Sequence, residues 1–170
     1  MIGEVVYEGA AIKRRVNELG AEISRDYAGK MPMMIGILNS SAMFLADLTR
    51  AVSIPCEFDV ISVSKFAPSQ SVRFEKDTAS SIEGRHVVLV DDAIDTGLTL
   101  QYVIRTLKAR APASMEVCTL LDRLGHRIAD IDVKYRGFEI TARFLVGYGL
   151  DYNGLYRELP GLYAHAAPAQ

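Results

Sequence analysis

Four apolar, mostly β-branched residues, Val87-Val88-Leu89-Val90, run directly into Asp91-Asp92-Ala93-Ile94-Asp95-Thr96-Gly97-Leu98-Thr99, and no other stretch constrains this chain as much. Such a run reads as a strand buried on both faces, which belongs in a parallel sheet covered by helices on either side. Leu100, Val103, Ile104 and Leu107 then recur at helical spacing, so a helix is expected over 99–110, stopped by Ala111-Pro112. The strand therefore delivers charge to its own C-terminal end, where open α/β sheets hold their ligands. A glycine between strand and helix lets main-chain N–H groups converge on an anion, and Thr96 and Thr99 add hydroxyls to the same loop. The natural occupant is a phosphate.

A phosphate alone does not account for the acids, because bare carboxylates repel it. Asp91 and Asp92 accept hydrogen bonds and donate none, which suits the hydroxyls of a sugar diol whose phosphate sits in the loop beyond. A strand sends adjacent side chains to opposite faces, so these two are not expected to share one proton as a catalytic dyad. The implied ligand is a phosphorylated ribose. A phospho-receiver domain also ends a strand in Asp-Asp, with Leu120-Leu121-Asp122 as its acceptor strand, but receivers open with their acidic pair and here it lies past mid-chain.

The remaining pattern is that of alternating strands and helices. Residues 1–7 read as a short extended lead, and Ile12, Val16, Leu19, Ile23 and Tyr27 mark an amphipathic helix over 8–27. Met33-Met34-Ile35-Gly36-Ile37-Leu38 is a buried strand; Asn39-Ser40-Ser41 follows as a turn with helix-capping residues, then a helix over 42–52. A third strand over 56–63 leads into 64–76, which reads either as a plain hairpin with Arg73-Phe74-Glu75-Lys76 as the return strand or as a mobile flap. Met115 to Leu121 is a further buried strand, after which Asp122-Arg123 reads as a solvated loop. These β-α-β units predict an α/β fold: an open, mainly parallel twisted sheet flanked by helices.

Composition narrows the field. A chain of 170 residues with 49% hydrophobic and 24% charged residues is expected to form one globular domain with a sizeable core. A net charge of −2 supplies no basic field, so nucleic acid is a poor partner. No apolar run approaches membrane-spanning length and no basic-then-apolar leader opens the chain, which predicts a cytoplasmic protein with no membrane partner. Cys56 and Cys118 form no ligand cluster and are expected as buried, reduced core residues.

Val88 to Leu100 resembles the phosphoribosyl-pyrophosphate (PRPP) signature of type I phosphoribosyltransferases, and the chain is similar to the hypoxanthine-guanine branch of that family along most of its length. The resemblance implies Mg²⁺-dependent transfer of 5-phosphoribosyl from PRPP to N9 of a 6-oxopurine. It implies a small hood over about 138–165, a short flap over about 64–76, and a homodimer or homotetramer. By the same likeness Asp91 and Asp92 hold the ribose, and Asp95, Thr96, Gly97, Leu98 and Thr99 hold the 5′-phosphate. Asp95 also serves as general base toward purine N7. Arg123 meets the exocyclic oxygen at C6, Phe144 stacks on the purine and the main chain of Leu145 reads its edge. Asn39, Ser40 and Arg157 receive pyrophosphate, Asp151 reaches its Mg²⁺, and a non-proline cis peptide is common in the pyrophosphate loop. Gly147-x-Gly149 is no dinucleotide fingerprint, since position 152 is Tyr.

The chain departs from the family pattern where Asn39 stands for a Lys, Lys65-Phe66 for Ser-Tyr, and Arg123 for a Lys. Asn39 brings no positive charge, so pyrophosphate is expected to be held more loosely, whereas Arg123 remains an obligate donor that rejects a 6-amino group. Two competing readings follow from these changes: a catalytically weak, nucleotide-binding regulatory relative, and a transferase for a different 6-oxo heterocycle. The last residues, 159–170, read as an Ala/Pro-rich tail frayed at its end. His126 and Arg127 carry no expected role.

Overall fold

Val88 and Val90 point into one apolar cluster and Val87 and Leu89 into another, so the central strand touches water on neither face. A computed structural model describes residues 2–66, 71–141 and 144–166. In chain order its elements are β1 (Ile2–Tyr7), α1 (Gly9–Asp26), β2 (Met33–Leu38), α2 (Ala42–Ala51), β3 (Glu57–Phe66), β4 (Ser71–Lys76), β5 (His86–Ile94), α3 (Leu98–Lys108), β6 (Ser114–Asp122), a 3₁₀ turn (Leu124–His126), β7 (Tyr135–Glu139), β8 (Leu145–Val146) and β9 (Leu162–His165).

Six strands form the main sheet in the order β4-β3-β2-β5-β6-β7. All neighbours are parallel except β3 and β4, which pair antiparallel at one edge. Two-residue alternation in the strands then sorts the core. Met34, Val88, Val90, Cys118 and Leu120 face α1 and α2 through Ile12, Leu19, Phe44 and Leu48. Met33, Ile35, Val87, Leu89 and Val117 face α3 through Val103 and Leu107. The expected α/β architecture is therefore the one observed, and no helix among the described residues is long and apolar enough to cross a membrane.

Several boundaries differ from the sequence reading. The central strand does not stop at Val90: its pairing with β6 continues to Ile94 opposite Asp122, so the acids lie within the strand. β3 and β4 are paired up to Phe66 and Ser71, so the described part of the flap is a continuation of the sheet's edge hairpin; positions 67–70 lie outside the described residues. Residues 2–7 are extended, as expected, but they are more than a lead. They form a strand paired antiparallel to β9, Ile2 opposite His165, in a second sheet of order β1-β9-β8.

The hood is thus built from both ends of the chain, and it starts later than position 138, because β7 belongs to the main sheet. Tyr7 stacks on Phe138 with ring centroids 4.2 Å apart, tying the two sheets together. The same pairing orders residues 162–165 of the expected tail, while 167–170 lie outside the described residues. Cys118 is buried, but Cys56 is only half-buried.

Candidate active site

β2 and β5 run side by side only as far as Gly36 and Val90. Beyond that point β2 continues against β3 and β5 against β6, so the chain turns outward in opposite directions from these neighbours. This is the topological switch point of an open α/β sheet, and the gap at the C-terminal ends of the two strands is where such folds bind ligands. One wall of the gap is the turn after β2, where the Leu38–Asn39 peptide is cis. Asn39 is exposed there. The Ser40 hydroxyl donates to Asp92 Oδ1 at 2.8 Å, and the buried Ser41 hydroxyl donates to the Ile37 carbonyl at 2.6 Å. Ser41 stands at the N-cap of α2, as the capping reading has it, but no side chain caps the helix by a hydrogen bond, because each serine hydroxyl has its partner elsewhere.

Asp91 and Asp92 form the floor of the gap. Asp91 Oδ1 accepts the main-chain N–H of Asp92 at 3.1 Å. Strand alternation sends their Cβ atoms to opposite faces, as expected, while the Asp91 carboxyl turns back onto the main chain of its neighbour. Burial, and then the neighbouring Asp92 charge, raise Asp91 well above the usual carboxylate range. Burial also raises Asp92, opposed by the hydrogen bond from Ser40.

The loop into α3 is open to solvent on its outer side, where Asp95 and Leu98 are exposed and Thr96 and Thr99 half-buried. Gly97 precedes α3 with φ +79°, and a Cβ placed on it meets Ile131 Cδ1 at 2.9 Å and Ala129 Cβ at 3.3 Å, so the position demands glycine twice over. The Thr96 carbonyl accepts the N–H groups of Ile128 and Ala129, both at 3.0 Å. The segment after β6 thus backs this loop from behind and leaves the leading N–H groups of α3 at its front.

That segment is where the sequence reading missed most. Asp122 is fully buried, not solvated: Arg127 donates to its Oδ1 at 2.7 and 3.1 Å, and Arg136 donates to its Oδ2 at 2.6 Å. Burial follows from register, since Asp122 is the last paired residue of β6 and lies between Ile94 and Glu139 of its neighbours. The pair of arginines holds a crossover that contains no α-helix. Arg123 and His126 project from it toward Asp95, with Arg123 Nη1 3.9 Å from Oδ2 and His126 Nδ1 3.3 Å from Oδ1. Only Asp122 at the end of a buried run offered a sequence signal; its arginine partners lie five and fourteen residues on.

The hood supplies the remaining candidates. Phe144 is 41% exposed, with Tyr152 and His165 edge-on to it at 5.9 and 6.1 Å, and Leu145 is buried in β8 opposite Ala164. Gly149, at φ +99°, brings the following turn onto the loop after β2: a Cβ there lies 2.1 Å from the Ser40 carbonyl oxygen. Asp151 follows, its Oδ1 held by Arg157 Nη2 at 2.8 Å and its Oδ2 by the Gly154 N–H at 2.6 Å, while Arg157 Nη1 donates to the Gly149 carbonyl. Asp151 and Arg157 are therefore one unit. No cluster of three or more His, Cys, Asp or Glu side chains among the described residues is placed to hold a metal. A lone carboxylate such as Asp151 fits a hard cation whose other ligands are substrate oxygens.

Acids beside a glycine loop at a switch-point crevice suit a ligand that is anionic at one end and rich in hydroxyls at the other, which defines an α/β protein of the sugar-phosphate-handling class. Residues 4–153 match the family described as phosphoribosyl transferase domain, and the chain belongs to that family. Among its relatives, the hypoxanthine-guanine-xanthine phosphoribosyltransferase of Tritrichomonas foetus is 39% identical over 160 residues, covering 92% of this chain and 87% of the relative. The hypoxanthine-guanine phosphoribosyltransferase of Bacillus subtilis is 39% identical over 163 residues, covering 94% and 91%. A crystal structure of a hypoxanthine-guanine phosphoribosyltransferase from Bacillus anthracis superposes with a TM-score of 0.94 at 33% identity, covering 97% of this chain and 99% of that one. Within the family this chain falls in the hypoxanthine-guanine branch.

Proposed function

We propose that the protein transfers the 5-phosphoribosyl group of PRPP to N9 of hypoxanthine or guanine, giving IMP or GMP and pyrophosphate, as a purine salvage enzyme. The observation that carries this reading is the meeting of two loops at Asp95, beyond the acids that end β5: the glycine loop into α3 and the Arg123 crossover.

In this reading Asp91 and Asp92 accept hydrogen bonds from the ribose hydroxyls, through the carboxylate oxygens left over from the bonds to Ser40 and the Asp92 N–H. Thr96 to Thr99 donate to the 5′-phosphate. Asp95 takes the proton from purine N7 as N9 attacks the anomeric carbon and the bond to pyrophosphate breaks. Arg123 donates to the oxygen at C6, Phe144 stacks on the ring and the Leu145 main chain reads its edge. Asn39, Ser40 and Arg157 receive pyrophosphate. Asp151 would hold Mg²⁺, which when bound neutralises charge on the leaving pyrophosphate. Free thiols at Cys56 and Cys118 favour a reducing cytoplasm as its compartment, and a homodimer or homotetramer is the assembly proposed.

Pyrophosphate release from PRPP is measured with hypoxanthine, guanine, xanthine and adenine in turn, with Mg²⁺ and with EDTA. Turnover with 6-oxopurines, none with adenine and none in EDTA is expected. Equal turnover with adenine removes Arg123 from its role, and no turnover with any base overturns the proposal.

A further inference from the structure

Phe144 presents a large, partly exposed ring directly before a strand of only two residues, so its plane is fixed by what packs behind it. One residue of β9 holds it twice. The His165 N–H donates to the Phe144 carbonyl at 2.9 Å, which prolongs the β8–β9 pairing beyond Leu145 and Ala164. The buried His165 ring then meets the phenyl edge-on, with centroids 6.1 Å apart and planes at 67°. The same ring reaches the turn that follows β8. Tyr152 stacks on it at 4.5 Å and 29° and meets Phe144 edge-on at 5.9 Å, and Tyr156 lies against it at 5.8 Å. Tyr152 follows Asp151 and Tyr156 precedes Arg157, so the turn that carries the Asp151–Arg157 ion pair rests on His165 at both ends. Tyr156 has φ +79°, a conformation that a tyrosine keeps only where its surroundings impose it.

We propose that His165 is a positioning residue that locks the purine-stacking ring and the pyrophosphate turn to one another. The inference rests on the assignment of Phe144 to the base and of Asp151 and Arg157 to pyrophosphate. Phe144 alone is anchored to the sheet only by its main chain, and the turn alone only by its own ion pair and its seat on the loop after β2. His165 supplies the contact they share, so base and PRPP meet subsites held in one frame. The hold is exerted by ring faces, ring edges and a main-chain N–H. Another planar ring therefore fulfils the role, whereas a branched aliphatic chain fills the space without the stack.

The test compares His165→Phe with His165→Leu by the KM for hypoxanthine, the KM for PRPP and kcat; calorimetric affinity for IMP reads the same contacts without turnover. His165→Phe is expected to stay within a few-fold of the wild type in every measure. His165→Leu is expected to raise both KM values, and to weaken IMP, by about tenfold. A lower kcat at unchanged KM values is what a merely structural role produces, through a smaller active fraction, and overturns the inference. So does a phenylalanine variant that behaves like the leucine variant. Should His165→Leu not fold, Tyr152→Leu breaks the same stack from its other member, and unchanged KM values there overturn the inference equally. In a Phe144→Ala background His165→Leu is expected to raise the KM for hypoxanthine no further, because His165 reaches the base only through that ring; a further tenfold rise contradicts this. Phe144→Ala by itself separates the two levels. If it leaves the KM for hypoxanthine and the affinity for IMP unchanged, the assignment of Phe144 falls; if it shifts them while His165→Leu does not, only the role of His165 falls.

Discussion

Ser40 Oγ and Asp92 Oδ1 meet at 2.8 Å across the gap where β2 and β5 part. The bond joins the loop after β2 to the end of β5 through the acid proposed to hold ribose, so the proposed pyrophosphate and sugar sides are mechanically one. It also leaves Asp91 as the carboxyl with the greater proton affinity, because Ser40 stabilises the charge on Asp92 alone.

That asymmetry has a stability consequence. The folded protein binds the Asp91 proton more tightly than the unfolded chain does, where the carboxyl titrates near 3.8. The contribution to stability is therefore full below that pH and is lost as pH rises through the raised folded value. Asp91→Asn removes the charge at constant shape. Calorimetry at pH 7 should show a higher Tm for the ligand-free variant, about 2–4 °C for each kcal/mol relieved, with the gap narrowing toward pH 4. PRPP binding should weaken in the same variant. A lower Tm at pH 7 would show that the carboxyl repulsion is compensated within the pair.

Asp95→Asn keeps size and hydrogen-bonding capacity but cannot take a proton at neutral pH. Steady-state kinetics should show kcat reduced by about 10²- to 10⁴-fold with the KM for PRPP changed only a few-fold. Comparable kcat in the two proteins would remove Asp95 from general-base catalysis.

Asp122 bears on the site at one remove. Its substitution by Ala leaves Arg127 and Arg136 without their shared carboxylate, and breaking a buried pair by deleting one partner costs about 3–5 kcal/mol. Urea denaturation should register that loss as a lower midpoint with unchanged slope. Because the same crossover carries Arg123 and His126, the KM for the purine should rise with it. A midpoint within experimental error of the wild type would mean that the arginines find other partners.

Gly149→Ala tests the seating of the hood on the loop after β2. With φ at +99° and the new methyl 2.1 Å from the Ser40 oxygen, the turn has to lift. The strained backbone alone costs on the order of 1–3 kcal/mol. Thermal melting should show a loss of stability, and the KM for PRPP should rise by at least about tenfold as Asp151 and Arg157 withdraw. An unchanged KM would detach these residues from the pyrophosphate side.

Much of this protein is written locally. The buried run Val87–Val90, the periodic apolar positions of the three helices and the Thr-Gly turn each obey a rule that spans a few residues, so strands, helices and the order in which they alternate were legible. So was the turn at 95–99, because a strand, its acids and a Thr-Gly loop follow one another without interruption. Asp91 and Asp92 mark where this reasoning stops: alternation separates the Cβ atoms as expected, but the bonds that Asp91 makes to the next N–H and Asp92 to the distant Ser40 follow from no spacing rule.

What lay beyond local rules depends on which distant segments the sheet brings to one edge. β1 finds β9 at the opposite end of the chain, and nothing in residues 2–7 announces that partner. Asp122 turns from a loop acid into a buried anchor because strand register sets it between two neighbours, and Arg127 and Arg136 reach it from positions with no shared periodicity. The placing of Arg123 and His126 on Asp95 has the same origin: a crossover pinned at its root by the ion pairs of Asp122 with Arg127 and Arg136 can hold a fixed pose without being a helix, and a contact between loops is specified by the sheet beneath them, not by the spacing of residues along either one.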